Sequence, residues 1–174
     1  VLEHAKQYDV DIVMKNVEKI VQQKNEFKVH TKDSHIYAKK ILFATGSKWK
    51  KLGVPGEKEY SNKGVHYCAS CDGPFYKGKS TIAVAGGADS AVKESLLLSE
   101  FVDNVYVFAR STFKPEPINM ERMKRNKKIK GFEGVQVKEI KGDKFVSEII
   151  LDKSIEGSNS LKVDAVFIEI GHIP

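Results

Sequence analysis

The stretch Thr81-Ile82-Ala83-Val84-Ala85-Gly86-Gly87-Ala88-Asp89-Ser90-Ala91 decides the fold expected of this chain. Its first five residues predict a buried strand, the two glycines predict a tight turn, and residues 89–101 carry apolar side chains at helical spacing. Residues 104–109 form a second apolar run directly afterwards. Strand, helix and strand within about 30 residues predict a right-handed βαβ unit. We therefore expect an α/β domain built on a parallel sheet.

The turn between this strand and this helix has the composition of a dinucleotide-binding turn of the Rossmann-like type. In the G-x-G-x-x-G/A pattern begun at Gly86, Ala88 stands at the second glycine position and Ala91 at the last, so the match is incomplete nearest the pyrophosphate. A helix beginning near Asp89 would aim its amide hydrogens at a phosphate. The same residues also suit an ordinary strand-to-helix turn of an α/β core, and the sequence leaves both interpretations open.

The end of the second strand bears on which nucleotide such a turn would take. Enzymes that use NAD tend to place an acid there for the ribose hydroxyls, about 20 residues beyond the first glycine. This chain instead has Ala109, Arg110 and Ser111, a cation and a hydroxyl without an acid. That favours the 2′-phosphate of NADP(H), with Lys114 as a candidate second cation. The alternative is that Arg110 is an ordinary surface residue.

The second motif, Cys68-Ala69-Ser70-Cys71-Asp72-Gly73, holds both cysteines of the chain. A C-x-x-C pair can cycle between dithiol and disulfide, and Asp72 is a candidate general acid for the leaving thiolate. The alternative for Asp72 is a turn residue before Gly73-Pro74. A structural zinc site needs four ligands, yet there is no second C-x-x-C pair, and the other four histidines are far in sequence from His66. Redox chemistry is therefore favoured, and no metal is expected.

The remaining segments predict further strands and short helices. Before residue 51 we expect a short helical segment at residues 1–8 and β-rich runs at residues 11–14, 17–22, 27–31 and 35–43. Residues 48–64 have little periodicity and predict a linker. Beyond the βαβ unit we expect a helix at residues 118–126 and strands at residues 135–140, 145–151 and 161–170.

Composition excludes several classes of protein. The 174 residues are 41% hydrophobic and 30% charged, and no apolar run approaches the roughly 18 residues of a spanning helix. The net charge of +6 includes three arginines, and the lysine-rich residues 124–130 carry no aromatic side chain for stacking on bases, so nucleic-acid binding is not expected. No signal peptide is visible at the start, and we expect a cytoplasmic protein without a membrane partner.

Five motifs, in order along the chain, resemble those of the low-molecular-weight thioredoxin reductases of bacteria and archaea, which are pyridine nucleotide-disulfide oxidoreductases. They are Ile41–Gly46, Gly53–Glu57, Cys68–Gly73, Gly86–Ala91 and Ile170–Pro174. The resemblance covers essentially the whole chain. It implies a flavoenzyme that passes electrons from NADPH through FAD to the C-x-x-C pair, and on to thioredoxin or a thioredoxin-like protein.

The resemblance also implies how the chain is divided. Residues 1–50 would be part of an FAD-binding domain, residues 51–169 an inserted NADPH-binding domain that carries the dithiol, and residues 170–174 the start of the return to the FAD domain. The family's other FAD-binding segments are not in this sequence. We therefore expect the chain to be a fragment, inactive alone, of an enzyme that is a homodimer at full length.

The site residues implied by the resemblance follow from their positions in those motifs. Cys68 would attack the partner's disulfide, Cys71 would be the sulfur nearer the flavin, and Asp72 would manage the proton. The FAD contacts would be Asn16, Val17, Ala44, Thr45 and Gly46, and the NADPH contacts would be Gly86, Gly87, Asp89, Ser90, Arg110, Ile170 and Gly171. The chain departs from the family pattern at Ala88, Ala109 and Ser111. These three positions lie in the segments that the resemblance assigns to NADPH binding.

Two other functions fit the same residues. The first is a related disulfide reductase that serves another redox protein, such as a peroxiredoxin-like or glutaredoxin-like one, with the same site. The second is a flavin-free nucleotide-binding module that uses the dithiol as a redox switch. Against the second stands Ala44-Thr45-Gly46, which has no purpose in a stand-alone NADPH-binding domain.

Overall fold

The computed structural model describes residues 2–78 and 81–174, and the chain divides after Gly46 into a smaller and a larger unit. The smaller unit holds a one-turn helix and an antiparallel sheet in the order β1-β2-β3. Its elements are α1 (Leu2–Ala5), β1 (Val17–Gln22), β2 (Phe27–Thr31) and β3 (His35–Ala38). Turns at residues 23–26 and 31–34 join the strands, and at the second the Thr31 hydroxyl donates to the Ser34 carbonyl over 3.0 Å.

Two strand predictions for the smaller unit are wrong. Residues 11–14 form no strand, and the strand expected to reach Phe43 ends at Ala38. The apolar side chains that suggested these strands are exposed, with Met14 83%, Leu42 90% and Phe43 69% accessible. A strand needs a neighbouring backbone for its hydrogen bonds, and in the described residues neither segment has one.

The larger unit is built on a five-stranded parallel sheet in the order β5-β12-β6-β7-β8. The sheet strands are β5 (Val65–His66), β6 (Thr81–Ala85), β7 (Asn104–Ala109), β8 (Ile129–Glu133) and β12 (Ala165–Ile168). The longer helices are α3 (Asp89–Leu98), which links β6 to β7, and α4 (Pro117–Arg125). The predicted βαβ unit is confirmed. None of the helices in residues 2–78 and 81–174 is long and apolar enough to cross a membrane.

Alternation along the parallel strands places side chains on two different faces. Ile82 and Val84 belong to an apolar cluster that also contains Ala91 and Leu98 of α3, whereas Ala83 and Ala85 belong to a second cluster on the opposite face. Both faces are therefore buried, which explains why β6 is an unbroken apolar run. The helices cover one face of the sheet.

A three-stranded antiparallel sheet supplies the apolar side chains on the other face. It has the order β11-β10-β9, with β9 (Val137–Gly142), β10 (Val146–Ile155) and β11 (Ser158–Lys162). Ile140 of β9 and Ile149 of β10 share their apolar cluster with Val166 of β12. The larger unit thus has three layers: antiparallel sheet, parallel sheet and helices.

The strand expected over residues 161–170 is two strands in different sheets. β11 ends at Lys162 and β12 begins at Ala165, and between them Asp164 pairs with the start of β6. The Asp164 amide donates to the Thr81 carbonyl over 2.8 Å, and its Oδ2 accepts from the Thr81 amide over 3.0 Å. These two hydrogen bonds lie between the end of β11 and the start of β12, and they align β12 with β6.

Two strands in the parallel sheet were not predicted. β8 lies at the edge of the sheet and overlaps the lysine-rich residues 124–130, and its Ile129 is buried while Lys130 is exposed. Edge strands commonly carry charged side chains, so their sequences lack a continuous apolar run. The short edge strand β5 at the other side was also missed.

Residues 52–64, expected as a linker, are packed in place. Glu57 is 5% exposed and accepts hydrogen bonds from the amides of Leu52 (2.9 Å) and Gly53 (2.6 Å) and from the Tyr67 hydroxyl (2.7 Å). The Pro55 carbonyl accepts from the Ile140 amide over 3.0 Å. Two short strands, β4 (Lys48–Trp49) and β13 (His172–Ile173), pair antiparallel where the chain enters and leaves the larger unit.

We expect Gly56→Ala to destabilise the larger unit more than Gly53→Ala. Both glycines have a left-handed φ, +85° and +77°, so either alanine carries a backbone cost of about 1–2 kcal/mol. A Cβ at Gly56 would lie 1.9 Å from the Ile140 carbonyl oxygen, whereas nothing in the described part of the chain lies within 4 Å of one at Gly53. Overpacking should therefore add about 1–3 kcal/mol for Gly56→Ala alone.

Urea denaturation followed by the fluorescence of Trp49, the single tryptophan, measures the free energy of unfolding of both variants. Equal losses in the two variants would show that this segment does not pack on β9.

Candidate active site

A cavity of about 560 Å³ opens at the carboxyl edge of the parallel sheet. Residues that directly follow β6, β7 and β12 line it, and open α/β sheets bind ligands at this edge. Of the residues predicted to contact the nucleotide, the cavity is lined by Gly86, Gly87, Ser90, Arg110, Ile170 and Gly171. The topology has therefore brought together residues that lie up to 85 positions apart in the sequence, counted from Gly86 to Gly171.

The glycine turn forms one wall of the cavity, and it passes very close to its neighbours. The Gly86 amide donates to the Phe108 carbonyl over 2.9 Å. A Cβ on Gly86 would lie 2.3 Å from the Glu169 carbonyl oxygen, and one on Gly87 would lie 2.6 Å from the Ala109 Cβ. Glycine is thus required at both positions by the backbone of β12 and the end of β7. The turn therefore lies against the sheet on one side and lines the cavity on the other.

Asp89 is placed differently from the other predicted nucleotide contacts. It does not line the cavity, and its carboxylate is bonded to Lys93 Nζ (2.7 Å), Asn119 Nδ2 (2.7 Å) and the Glu116 amide (3.0 Å). These bonds, that to Lys93 first, lower the pKa of Asp89 to about 2. Asp89 therefore joins the start of α3 to α4. Ala88 at the N-cap has no side-chain acceptor, so the first amides of α3 stay available to an anion.

Four cationic side chains line the cavity: Lys50, Lys51, Arg110 and Lys114. Arg110 follows β7 as the sequence predicts, and the Lys114 amide donates to the Gly87 carbonyl over 2.8 Å, which holds Lys114 beside the turn. Lys50 and Lys51 were missed because they lie in the segment predicted as a linker. Lys51 Nζ stands 3.7 Å from the centroid of the Tyr67 ring. The charge of the cavity suits a ligand with several phosphates.

Glu169 is the acid of this cavity, and sequence analysis did not single it out. It directly follows β12 and is 5% exposed. Burial, with a contribution from the nearby Glu94, raises its pKa from 4.5 to about 7. A carboxyl inside the apolar run 165–170 is the signal that could have identified it, because an acid at a buried strand end is seldom tolerated without a purpose.

The two cysteines form a disulfide at the start of a short helix. Cys68 and Cys71 are bonded with their Cα atoms 5.3 Å apart, and the Cys71 amide points at Cys68 Sγ over 3.3 Å. The helix is α2 (Ala69–Asp72), and a 3-10 turn, Gly73–Tyr76, follows it. Cys71 is exposed and Cys68 is half-buried, so the disulfide is open to a partner. Residues 2–78 and 81–174 contain no cluster of three His, Cys, Asp or Glu side chains that could hold a metal ion.

One hydrogen bond connects the dithiol helix to α3, the helix that follows the glycine turn. The Ala69 amide, at the start of α2, donates to Glu94 Oε2 over 3.1 Å, and Glu94 lies on α3, the helix that begins at the turn. Ala69 is completely buried in the apolar cluster of α3 and the sheet. The larger unit therefore holds both the cavity and the disulfide on one scaffold.

Asp72, the predicted acid, lies at the end of α2 outside the nucleotide cavity. Its carboxylate Oδ2 is 3.2 Å from Nδ1 of the buried His66. The residues whose FAD contacts rest on the resemblance belong to the smaller unit: Asn16 precedes β1, Val17 begins it, and Ala44, Thr45 and Gly46 follow the exposed Phe43. Their part in binding FAD stays a prediction.

Residues 2–174 match the family described as pyridine nucleotide-disulphide oxidoreductase, and the chain belongs to that family. Over 99% of its length it is 38% identical to the thioredoxin reductase of Bacillus subtilis (strain 168), covering 55% of that protein. It is 33% identical to an NADH dehydrogenase of Ferdinandcohnia aciditolerans and 32% identical to a subunit of the alkyl hydroperoxide reductase of Pseudomonas aeruginosa. Each match covers 99% of this chain and 34% of the relative.

Solved thioredoxin reductases share the fold. The enzyme of Giardia duodenalis has a TM-score of 0.80 at 28% identity, over 98% of this chain and 57% of that one. The enzyme of T. acidophilum has a TM-score of 0.75 at 32% identity, over 99% of this chain and 57% of that one. The α/β fold with a Rossmann-like sheet is confirmed. The chain spans about half the length of the thioredoxin reductases it matches and about a third of the other two relatives.

We expect the stability of the larger unit to fall as pH rises from about 4.5 to about 7 because of Glu169. Its carboxyl binds a proton more tightly in the folded chain than in the unfolded chain, so the stabilisation is complete below the unfolded pKa and is lost through the folded pKa. The loss should amount to about 2–3 kcal/mol and level off above that range.

Urea denaturation at pH 5 and pH 8 tests this with two variants. Glu169→Gln should remove most of the fall, whereas the same change at the exposed Glu100 should leave it intact. An unchanged pH dependence in Glu169→Gln would contradict the assignment.

Proposed function

We propose that this chain is the nucleotide- and dithiol-bearing part of a thioredoxin reductase. The enzyme would pass electrons from NADPH through FAD to the Cys68–Cys71 disulfide, and on to thioredoxin or a thioredoxin-like protein. The observation that carries this proposal is the hydrogen bond from the Ala69 amide to Glu94, which ties a C-x-x-C disulfide to the helix that begins at a nucleotide-binding turn. The proposed enzyme is a cytoplasmic homodimer.

The domain division belongs to the same proposal. Residues 51–169 are the inserted NADPH-binding domain, residues 1–50 are part of an FAD-binding domain, and residues 170–174 return to it. The pairing of β4 with β13 supports an insertion, because it brings the entry and exit of the larger unit side by side. The exposed Leu42 and Phe43 also fit a strand that pairs within a fuller FAD domain.

The lining of the cavity supports NADPH as its ligand. The glycine turn and the uncapped start of α3 suit the pyrophosphate, and Arg110 with Lys114 suits the 2′-phosphate, since no acid follows β7 for the ribose hydroxyls. For FAD, the contacts proposed in this chain are Asn16, Val17, Ala44, Thr45 and Gly46. When bound, FAD would supply the redox chemistry that links hydride transfer from NADPH to reduction of the Cys68–Cys71 disulfide.

The residues of this chain then carry out thiol-disulfide exchange. Two electrons and two protons convert the disulfide into two thiols. The Cys68 thiolate attacks the partner's disulfide, forming a mixed disulfide and releasing one partner thiolate, which is protonated. The Cys71 thiolate then attacks Cys68 Sγ, which re-forms the original disulfide and frees the second partner thiolate. Asp72 is proposed as the group that gives and takes the proton beside Cys71.

A second candidate is a disulfide reductase for a different redox protein. The similarity to a subunit of an alkyl hydroperoxide reductase favours it, since that match covers the same 99% of this chain as the match to thioredoxin reductases. The dithiol and cavity would be the same in both, so the partner distinguishes them. A flavin-free redox switch has no comparable support.

In the full-length protein, Cys68→Ser or Cys71→Ser should abolish reduction of the partner while the nucleotide still bleaches the flavin, because electron entry precedes the cysteines. Stopped-flow absorbance follows the flavin, and NADPH consumption with thioredoxin or a peroxiredoxin follows turnover. Ser154→Ala, at an exposed position of β10 away from the disulfide, is the control and should retain turnover. A double-cysteine variant that still reduces its partner would disprove the proposed chemistry, and turnover with peroxiredoxin alone would favour the second candidate.

A further inference from the structure

His66 is a buried histidine beside the dithiol that the proposed exchange chemistry does not use. It ends β5, next to β12, and is 7% exposed. Its ring stacks on Phe167 with centroids 5.2 Å apart and meets the edge of the Tyr76 ring at 5.5 Å. The sequence offered His66 only in connection with a zinc site that it disfavoured, and the described residues contain no group of three His, Cys, Asp or Glu side chains that could hold a metal ion.

Both ring nitrogens of His66 face polar groups of the segment that carries the disulfide. Nε2 lies 2.7 Å from the Tyr76 hydroxyl, at hydrogen-bond distance. Nδ1 lies 3.2 Å from Asp72 Oδ2 but is not aligned with it, so Nδ1 has no geometrically complete hydrogen bond in the described part of the chain. His66 thus links Tyr76, which follows the disulfide, to Asp72, which adjoins it.

The environment fixes which atoms carry protons. Burial lowers the pKa of His66, opposed by the charge of Asp72, and burial raises the pKa of Tyr76 to about 12, with contributions from Asp72 and Asp164. At neutral pH the imidazole is therefore uncharged and Tyr76 keeps its hydroxyl proton. An ionised carboxylate can only accept, so Nδ1 must hold the proton that faces Asp72, and Nε2 then accepts from Tyr76. Phe167 of β12, which stacks on the His66 ring, carries no charge.

We propose that His66 is the positioning residue for the acid of the dithiol: Tyr76 fixes its tautomer, and its Nδ1–H group holds the carboxylate of Asp72, the residue that directly follows Cys71. The inference rests on the proposed function, in which Asp72 exchanges a proton with a thiolate. In that step the S–H bond of Cys71 breaks and its proton forms an O–H bond on Asp72; the same proton then forms an S–H bond on the departing partner thiolate, and the carboxylate left behind accepts from Nδ1–H. The proton on Nδ1 stays there, so His66 remains neutral throughout.

This arrangement predicts the acidity of the reduced thiols. A carboxylate next to Cys71 opposes formation of a thiolate, and a hydrogen bond from His66 offsets part of that charge. Removing the imidazole therefore raises the apparent pKa of the Cys71 thiol by about half a unit as long as residue 72 carries a carboxylate. If Asp72 is replaced by Asn, there is no charge to offset and His66 no longer matters to the thiol.

The test is the pH profile of alkylation by iodoacetamide in the reduced 174-residue chain, with His66→Phe, Asp72→Asn and the double variant. Phenylalanine keeps a ring on Phe167 but removes both nitrogens. In the wild-type background His66→Phe should shift the profile upward and slow alkylation at pH 7 about threefold. In the Asp72→Asn background it should cause no shift. Mass spectrometry identifies the alkylated cysteine.

Tyr76→Phe is the second variant. It removes a single oxygen atom, so it still tests the proposed link from Tyr76 through His66 to Asp72 if His66→Phe fails to fold. It should shift the profile in the same direction by less, and that shift should also vanish with Asp72→Asn. Equal shifts in both Asp72 backgrounds would show a merely structural role, and no shift or a downward shift would also overturn the proposal. The assay needs no nucleotide, flavin or partner, so its outcome is separate from that of the turnover test.

Discussion

The register of β6 between β7 and β12 is the constraint on which the rest of the structure depends. Ala85 lies opposite both Phe108 and Ile168, so the three strands end together and the residues that follow them meet at one edge. The glycine turn can then rest against the backbone at Glu169, where a side chain on Gly86 would collide. The cavity lies at this shared ending; Arg110 and Lys114 come from the loop after β7, and Lys50 and Lys51 from the segment after β4. A shift of register by one residue would separate the turn from Arg110.

The same sheet also supports the redox site. β5 pairs with β12 and ends in His66, while α3 rises from the glycine turn and holds the dithiol helix through Glu94. Phe167 of β12 is fully buried and supports both the His66 ring and the Tyr76 ring. The disulfide, Asp72 and the cavity thus depend on neighbouring strands of one layer. The carboxyl of Glu169 directly follows one of these strands, β12, and its burial raises its pKa.

Local sequence patterns predicted the parts of this structure that local chemistry determines. An apolar run, two glycines and a helical periodicity were enough for β6, α3 and β7, and spacing alone identified Cys68 and Cys71. The edge strands β5 and β8 were missed because they are short and partly charged, and their pairing partners are distant in sequence. Specific side-chain contacts, such as His66 with Asp72 across a turn or Asp89 with Asn119 between helices, leave no periodic signal. For Asp89 the motif predicted a contact with the nucleotide, but nothing in the sequence indicated its bonds to Lys93, Asn119 and the Glu116 amide.

The central claim is that the cavity at the carboxyl edge of the parallel sheet is a nucleotide site that recognises the 2′-phosphate through Arg110. Isothermal titration of the 174-residue chain with NADPH and NADH tests it most directly. The account predicts one site that binds NADPH more tightly than NADH, an affinity for NADPH that falls about tenfold or more in Arg110→Ala, and little change in Arg122→Ala, whose side chain lies on α4 outside this cavity. Equal affinity for the two nucleotides, or NADPH binding unaffected by Arg110→Ala, would contradict it.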